Sequence, residues 1–441
     1  MALSGAELGL AWAAPFTGLL LSIAVMPLAA PSVWHHHFGK IAASWTLALL
    51  IPFWLSFGAA QTGDVLVHTL LAEYLPFTVL LCALYTASGG IYIRGNLHGS
   101  PRLNVALMLV GALLASIMGT TGAAMLLIRP LIRANDNRRH NAHVVIFFIF
   151  IVGNIGGALT PLGDPPLFLG FLQGVGFFWT AGQLWSPTLF LVAGLLAVFW
   201  IIDSWLYRKE GITRDDPTPD SPGLGVDGAI NLLPLAAVVG LVLMSGTWKP
   251  GVVFDVRGTP LALQALVRDL GLVAVTAVSL LITPAGVRAS NQFSWAPMQE
   301  VAKLFIAIFL TMVPVLAMLR AGEAGVFAPL ARQLDSPWAY FWLAGSLSSV
   351  LDNAPTYLAF FNLAGGDAQR LMTDGAAVLA AISAGSVFMG AMTYIGNAPN
   401  FMVKAIAEDR GVKMPSFGGY LLWSGAVLLP LLFVMALIWM H

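Results

Sequence analysis

Leu159-Thr160-Pro161-Leu162-Gly163-Asp164-Pro165-Pro166-Leu167-Phe168 interrupts one apolar run, and Met392-Thr393-Tyr394-Ile395-Gly396-Asn397-Ala398-Pro399-Asn400-Phe401 interrupts another 233 residues later. Thr, Gly, Pro and Phe recur at matched places, and Asp164 aligns with Asn397. The same offset lays Ser116-Ile117-Met118-Gly119-Thr120-Thr121-Gly122-Ala123 on Ser349-Val350-Leu351-Asp352-Asn353-Ala354-Pro355-Thr356. It also lays Ser88-Gly89-Gly90 on Ala321-Gly322-Glu323. Three features in one register predict a duplicated unit, and paired breaks in apolar segments point to a transporter site.

Composition agrees with a membrane chain. Hydrophobic residues make up 58% and charged residues 10%, against roughly 45–50% and 25% in soluble domains. Apolar runs of about 20 residues, the length that spans a bilayer, recur throughout. The chain is therefore read as one all-α polytopic bundle. Lone Cys82 excludes an internal disulfide or a cysteine metal site. Zero net charge argues against nucleic acid as a partner. The first residues carry neither a basic n-region nor a small-residue cleavage site, so the first apolar run is expected to remain as a span.

Spans are predicted near 8–30, 41–60 and 66–90. A hairpin follows at 104–134, broken at Gly119-Thr120-Thr121-Gly122, then a broken helix at 143–178 and a span at 186–207. Residues 1–207 thus form a first repeat, and the polar stretch 208–228 reads as a cytoplasmic linker. A second repeat, 229–441, has spans near 229–246, 268–286 and 299–320, a hairpin at 337–364, a broken helix at 375–409 and a span at 418–440. With each hairpin re-entrant, each half crosses the bilayer five times and the second half is inverted. Loops then assigned to one face carry Lys40, Arg94, Arg102, Arg133, Arg138, Arg139, Arg208, Lys209 and Arg214, whereas 61–65 and 179–186 carry no Lys or Arg. The positive-inside tendency makes the basic face cytoplasmic and places both termini outside.

A helix broken at bilayer depth leaves backbone groups that lipid cannot satisfy, so breaks persist where protein or a watered cavity covers them. Freed carbonyls favour cations and freed N–H groups favour anions. Gly119, Gly122, Gly163 and Gly396 permit tight turns there, while Pro165, Pro166, Pro355 and Pro399 remove donors and stop helix continuation. Thr120, Thr121, Thr160, Asn353, Thr356, Thr393 and Asn397 offer neutral oxygens of the hard type that alkali cations prefer. The plain alternative is packing kinks. Asp164 and Asp352 carry the most weight, because a carboxylate in hydrocarbon costs about 2.5–3.5 kcal/mol. Such a group can hold a proton or a metal cation; each is also placed to cap a half-helix.

Other polar residues read more simply. Glu73 lies near the start of an apolar stretch, Arg129 and Arg133 are expected to snorkel to the cytoplasmic surface, and Asp203 and Arg208 are expected to pair at a surface helix end. His35-His36-His37 is expected in a solvated loop, where adjacent imidazoles do not converge on a metal. The chain has no His-Glu-x-x-His, no Gly-x-x-x-x-Gly-Lys-Ser/Thr and no Gly-x-Ser-x-Gly, so neither an enzyme nor an ATP-driven pump is expected.

Gly156-Gly157-Ala158-Leu159-Thr160-Pro161-Leu162-Gly163-Asp164 resembles the Gly-Gly-Ala-x-Ser/Thr-Pro-Ile-Gly-Asp signature of NhaD-type sodium/proton antiporters, and Leu351-Asp352-Asn353-Ala354-Pro355 resembles their Ile-Asp-Asn-Val-Pro motif. Both belong to the ion transporter superfamily, which also holds citrate carriers of the metal-citrate/proton symporter type. The resemblance implies inverted repeats with one re-entrant hairpin each, a mobile transport domain and a scaffold that dimerises. Pro165-Pro166-Leu167 and Gly396-Asn397-Ala398-Pro399-Asn400 depart from the antiporter pattern, and as a whole the sequence is similar to bacterial citrate-transporter-like proteins. Neither hairpin tip carries the Ser-Asn-Thr of dicarboxylate carriers.

The expectation is a sodium (or lithium)/proton antiporter of the bacterial inner membrane, with Asp164 and Asp352 as the sodium ligands and no cofactor beyond the transported ions. A proton- or cation-coupled carrier of citrate or another organic anion is the alternative. Partners are the lipid bilayer, small ions and a second copy of the chain.

Overall fold

Among the described residues (3–95, 97–211, 223, 225–334 and 336–441 of this computed structural model), eight helical stretches are long and apolar enough to cross a membrane. Helix α1 (Ala14–Ala29) leads into α2 (Pro31–His68) and, through a π-helical turn at Thr69–Tyr74, into α3 (Leu75–Ser88). The continuous run Pro31–Ser88 has 58 residues. At 1.5 Å per residue it is about 87 Å long, far beyond one hydrocarbon thickness of about 30 Å. It therefore holds two of the expected spans, bent at Gly58 (φ +79°) rather than joined by an open loop at 61–65. His35, His36 and His37 lie on the first turns of α2, exposed, and not in a loop.

The first hairpin is α4 (Pro101–Met118) and α5 (Thr120–Ala134), packed side by side. Ser100 starts α4 by accepting from Leu103 N, and Pro101 follows at the first position, an entry that fixes the helix start. Gly119 (φ +82°, ψ 150°) makes the turn that an L side chain would strain. Helix α6 (Ala142–Ile151) is apolar and buried all round, so it runs through the core. Apart from a 3-10 turn at Ile155–Gly157, the chain is then irregular until α7 (Pro165–Leu172), a wider break than the four residues at 163–166 suggest. Long α8 (Trp179–Glu210) follows. Most of the 208–228 stretch, Arg214 included, lies outside the described residues.

The second half runs through α9 (Leu232–Thr247), α10 (Leu263–Ile282), short α11 (Ala285–Ser290) and α12 (Ala296–Arg320). A short α13 (Ala328–Gln333) precedes α14 (Pro337–Val350), which Ser336 caps as Ser100 caps α4, and α15 (Asn353–Leu363). After α16 (Ala368–Met372), α17 (Ala376–Phe388) breaks at 389–397 before α18 (Ala398–Asp409). Helices α19 (Phe417–Trp423) and α20 (Leu429–Trp439) close the chain around a π-helical turn.

Two small sheets add to the expected all-helical architecture: β1 (Tyr92–Arg94) with β2 (Gly225–Asp227), and the hairpin β3 (Val253–Val256) with β4 (Thr259–Ala262). They sort the connections. The β1–β2 pair joins 91–103 to the end of the linker stretch. Arg257 Nε lies 3.3 Å from Asp64, joining 247–267 to 61–65, and Trp179 Nε1 donates to Met372 O across 3.2 Å. Leu233, Leu270 and Leu281 are 66–84% exposed, an outward apolar rim that suits lipid.

Candidate functional site

Four helices restart at the two pairs of breaks: α5 at Thr120, α7 at Pro165, α15 at Asn353 and α18 at Ala398. Helix α7 packs on α15, and α5 on α18, so each hairpin meets the broken helix of the other half. Their starts surround Asp164, whose carboxylate is 1% exposed. It accepts from Thr120 Oγ1 (3.1 Å) and Asn397 Nδ2 (3.0 Å) on one oxygen and from Asn353 Nδ2 (2.6 Å) on the other. Asn397 is the residue that aligns with Asp164 across the sequence offset, so matched positions of the two halves touch directly.

Other bonds recur at that offset. The Thr160 hydroxyl donates to Ser116 O and accepts from Leu162 N; the Thr393 hydroxyl donates to Ser349 O at 2.5 Å and accepts from Ile395 N and Gly396 N. Ser116 Oγ donates to Gly156 O, and Ser349 Oγ to Met389 O. A Cβ on Gly163 would strike the Gly157 carbonyl, and one on Gly396 the Gly390 carbonyl. These contacts hold each break in shape.

A cavity of 690 Å³ opens above the network. Thr120, Thr121, Asp164, Asp352 and Asn397 line it, with Gly119, Gly122, Gly163 and Pro165. Its far end reaches His35 and Glu300, near the starts of α2 and α12. No Lys or Arg is among the lining residues. Asn353 stands behind Asp164 rather than in the wall. Thr160, Thr393 and Thr356 engage backbone carbonyls, the last donating to Asp352 O at 3.0 Å, and they lie outside the lining. Asp352 is only partly buried and caps α15, accepting from Ala354 N at 3.0 Å. Asp164 occupies the same place before α7 but makes no cap bond, because its oxygens turn to Thr120 and the two Asn. Gly122, Pro166, Pro355 and Pro399 fall in first helical turns, not in the breaks themselves.

The surroundings favour cations over anions. Helix starts attract negative charge through free N–H groups. Here Pro165, Pro166, Pro355 and Pro399 remove four such donors. Ala354 N is taken by Asp352, and Thr120 N by Gly163 O at 2.8 Å. The wall is mostly apolar, and the polar side chains that Thr120, Thr121, Asp164, Asp352 and Asn397 bring to it are hydroxyl, amide and carboxylate groups.

Two residues that the sequence reading omitted complete the network. Asn154 Nδ2 donates to Ile149 O and to Asn400 Oδ1, while Asn154 Oδ1 accepts from Asn397. Asn400 Nδ2 donates to Gly390 O and Thr393 O. Asn154 is a lone amide beside a break in an apolar run and Asn400 follows Asn397 by three residues, the one signal that marks them in sequence.

Two expectations, for Arg129 and Asp203, are corrected. Arg129 does not reach the surface; it is 7% exposed. Arg133 is partly exposed and donates to the Tyr92 hydroxyl and Ile93 O, both at 2.6 Å. Asp203 does not pair with Arg208 at the surface: fully buried, it meets Arg138 at 2.6 Å, His143 at 2.8 Å and Asn104 at 3.0 Å.

A multi-span helical bundle whose broken helices converge on an acidic cavity defines a membrane transporter. The match to known families agrees: this chain belongs to the family described as "Putative citrate transport", which it matches over residues 5–440. No curated protein matches the chain.

Proposed function

We propose that this protein is a sodium (or lithium)/proton antiporter of the bacterial inner membrane, working by alternating access. The observation that supports this most is the cavity floor, which carries Asp164 and Asp352 and no basic side chain. Asp164 exchanges a proton for the cation, with Thr120, Thr121, Asn397 and nearby carbonyls completing the shell. Asn353 orients the carboxylate from behind. The matched bonds of the two breaks support an inverted-repeat origin, in which hairpins and broken helices move together against a scaffold. The cavity ends beside α2 and α12 on the face that carries the basic loops, so this form faces the cytoplasm and both termini lie outside. The homodimer implied by the resemblance belongs to the same proposal.

The second reading, a proton- or cation-coupled carrier of citrate or a related anion, is favoured by the family match. Proton movement in everted vesicles from cells without their own antiporters separates the two. Sodium or lithium collapsing the pH gradient, with Asp164→Asn inert, is expected of the antiporter. A response to citrate alone replaces it with the carrier.

A further inference from the structure

Arg129 takes no part in the Asp164 network, yet it is buried with unused donors. It lies nine residues past Thr120 on α5, about 13 Å along the axis from the cavity floor at 1.5 Å per residue. Its Nε and Nη1 have no hydrogen-bond partner among the described residues. Nη2 donates to Gln292 Oε1 over a long 3.4 Å. Gln292, between α11 and α12, sits at φ +49°, a left-handed backbone that costs a non-glycine residue about 1 kcal/mol or more.

The neighbourhood is basic. Arg133, one turn further along α5, also has an unpartnered Nε. Arg410 and Asp409, at the end of α18, lie within electrostatic reach of Arg129, as do Tyr85 and Tyr92. Arg129 and Arg410 thus lie near the Asp409 carboxylate, while Arg133 is held by Tyr92 and Ile93 O. Met125, a turn before Arg129, packs with Tyr85 and Met298, and both of these line the cavity. A buried guanidinium without acceptors is costly. Its planar fork is matched by a two-oxygen anion, which a single amide oxygen replaces poorly.

We propose that Arg129 anchors a small-anion site outside the cavity, between α5, the end of α18 and the segment before α12, taking one carboxylate of an organic acid in place of the Gln292 amide. The site is separate from the cation floor at Asp164, so binding there is independent of ion exchange.

Thermal unfolding of the purified full-length protein in detergent tests this, with citrate compared against chloride at matched ionic strength. Citrate is expected to raise the midpoint and chloride to leave it unchanged. Arg129→Gln should weaken citrate binding about tenfold or more, the loss of one charge-assisted contact. Gln292→Gly, which removes the internal competitor and suits the left-handed backbone, should tighten it about threefold. Asp164→Asn should keep the citrate shift even where exchange is abolished. If Arg129→Gln does not fold, Arg129→Lys keeps the charge without the fork and should still weaken citrate several-fold. The site is overturned if wild type shows no citrate shift or chloride gives an equal one. A shift unchanged in the Arg129 variants, or lost in Asp164→Asn, overturns it too.

Discussion

Replacing Asp164 by Asn separates the chemistry of the site from its architecture. The carboxylate accepts three hydrogen bonds, from Thr120, Asn353 and Asn397. An amide offers one acceptor oxygen, and its NH₂ must face Asn353 or Asn397, both of which present N–H. The Thr120 hydroxyl can turn to accept. Asn397 cannot turn without giving up Gly153 O at 3.2 Å and Asn154 Oδ1 at 3.1 Å. Asn353 can turn, because its Oδ1 has no partner among the described residues, so the new NH₂ can donate to it and what is lost is charge assistance, about 1–2 kcal/mol. Removing a buried charge offsets a comparable amount. The folded protein should persist, with a thermal midpoint in detergent within a few degrees of wild type. Exchange should not persist, because the amide can neither release a proton nor balance a cation; a lost ligand of about 3 kcal/mol corresponds to more than about 100-fold in affinity. The assay is sodium-driven proton movement in proteoliposomes of known protein content. Residual exchange above about one tenth of wild type, in a correctly inserted protein, would refute the reasoning.

Asp352 calls for a pair of variants. Asn caps helices about as well as Asp, so Asp352→Asn should keep thermal stability and lose exchange, whereas Asp352→Ala should also lose about 1 kcal/mol of stability; full transport by the Asn variant would reduce Asp352 to a cap. Gly163→Ala and Gly396→Ala each drive a methyl into a backbone carbonyl and should destabilise the protein by about 1–3 kcal/mol. Gly182→Ala, in open space on α8, should be neutral or slightly stabilising in the same unfolding experiment. Asp203→Asn takes from the buried Arg138 guanidinium its nearer carboxylate, at 2.6 Å, and leaves it only the longer Glu210 pair at 3.5 Å, a partial break that costs about 3 kcal/mol. It should lower the midpoint at least as much as any other variant here, and a midpoint equal to wild type would show that the cluster does not hold α4, α6 and α8 together.

The breaks were legible because Gly, Pro and Asp have no place in an apolar span unless the backbone must turn there. The restart of helices at Thr120 and Asn353, and at Pro165 and Ala398, follows the sequence register. The pairings across the structure were not legible. Asn154 and Asn400 meet across 246 residues, and nothing local to either names the other. Asp203 follows the pattern of a polar helix end, yet Arg138, His143 and Asn104 from three other segments close over it. Arg129 carries a long flexible side chain that suggests escape to water, but α5 is enclosed along most of its length. The His35–His37 run misled in the opposite sense: three imidazoles looked loop-like, and Pro31 started a helix beneath them.

The family match and the acidic cavity bear on one another through charge. A citrate carboxylate arriving at Asp164 and Asp352 meets like charge, with no Lys or Arg in the lining to offset it. The helix starts that could have supplied N–H donors are depleted by proline and by the Asp352 cap. An anion can therefore approach the floor only after protons or cations have neutralised it, or as a complex that brings its own metal. Both readings then share a first event, cation or proton binding at Asp164, and differ in the species that moves next. Asp164→Asn should thus halt transport under either one. The dependence of citrate uptake on an added divalent cation separates them. Uptake that rises with the metal and vanishes under chelation belongs to a carrier of the complex, whereas sodium-driven proton exchange indifferent to citrate belongs to the antiporter.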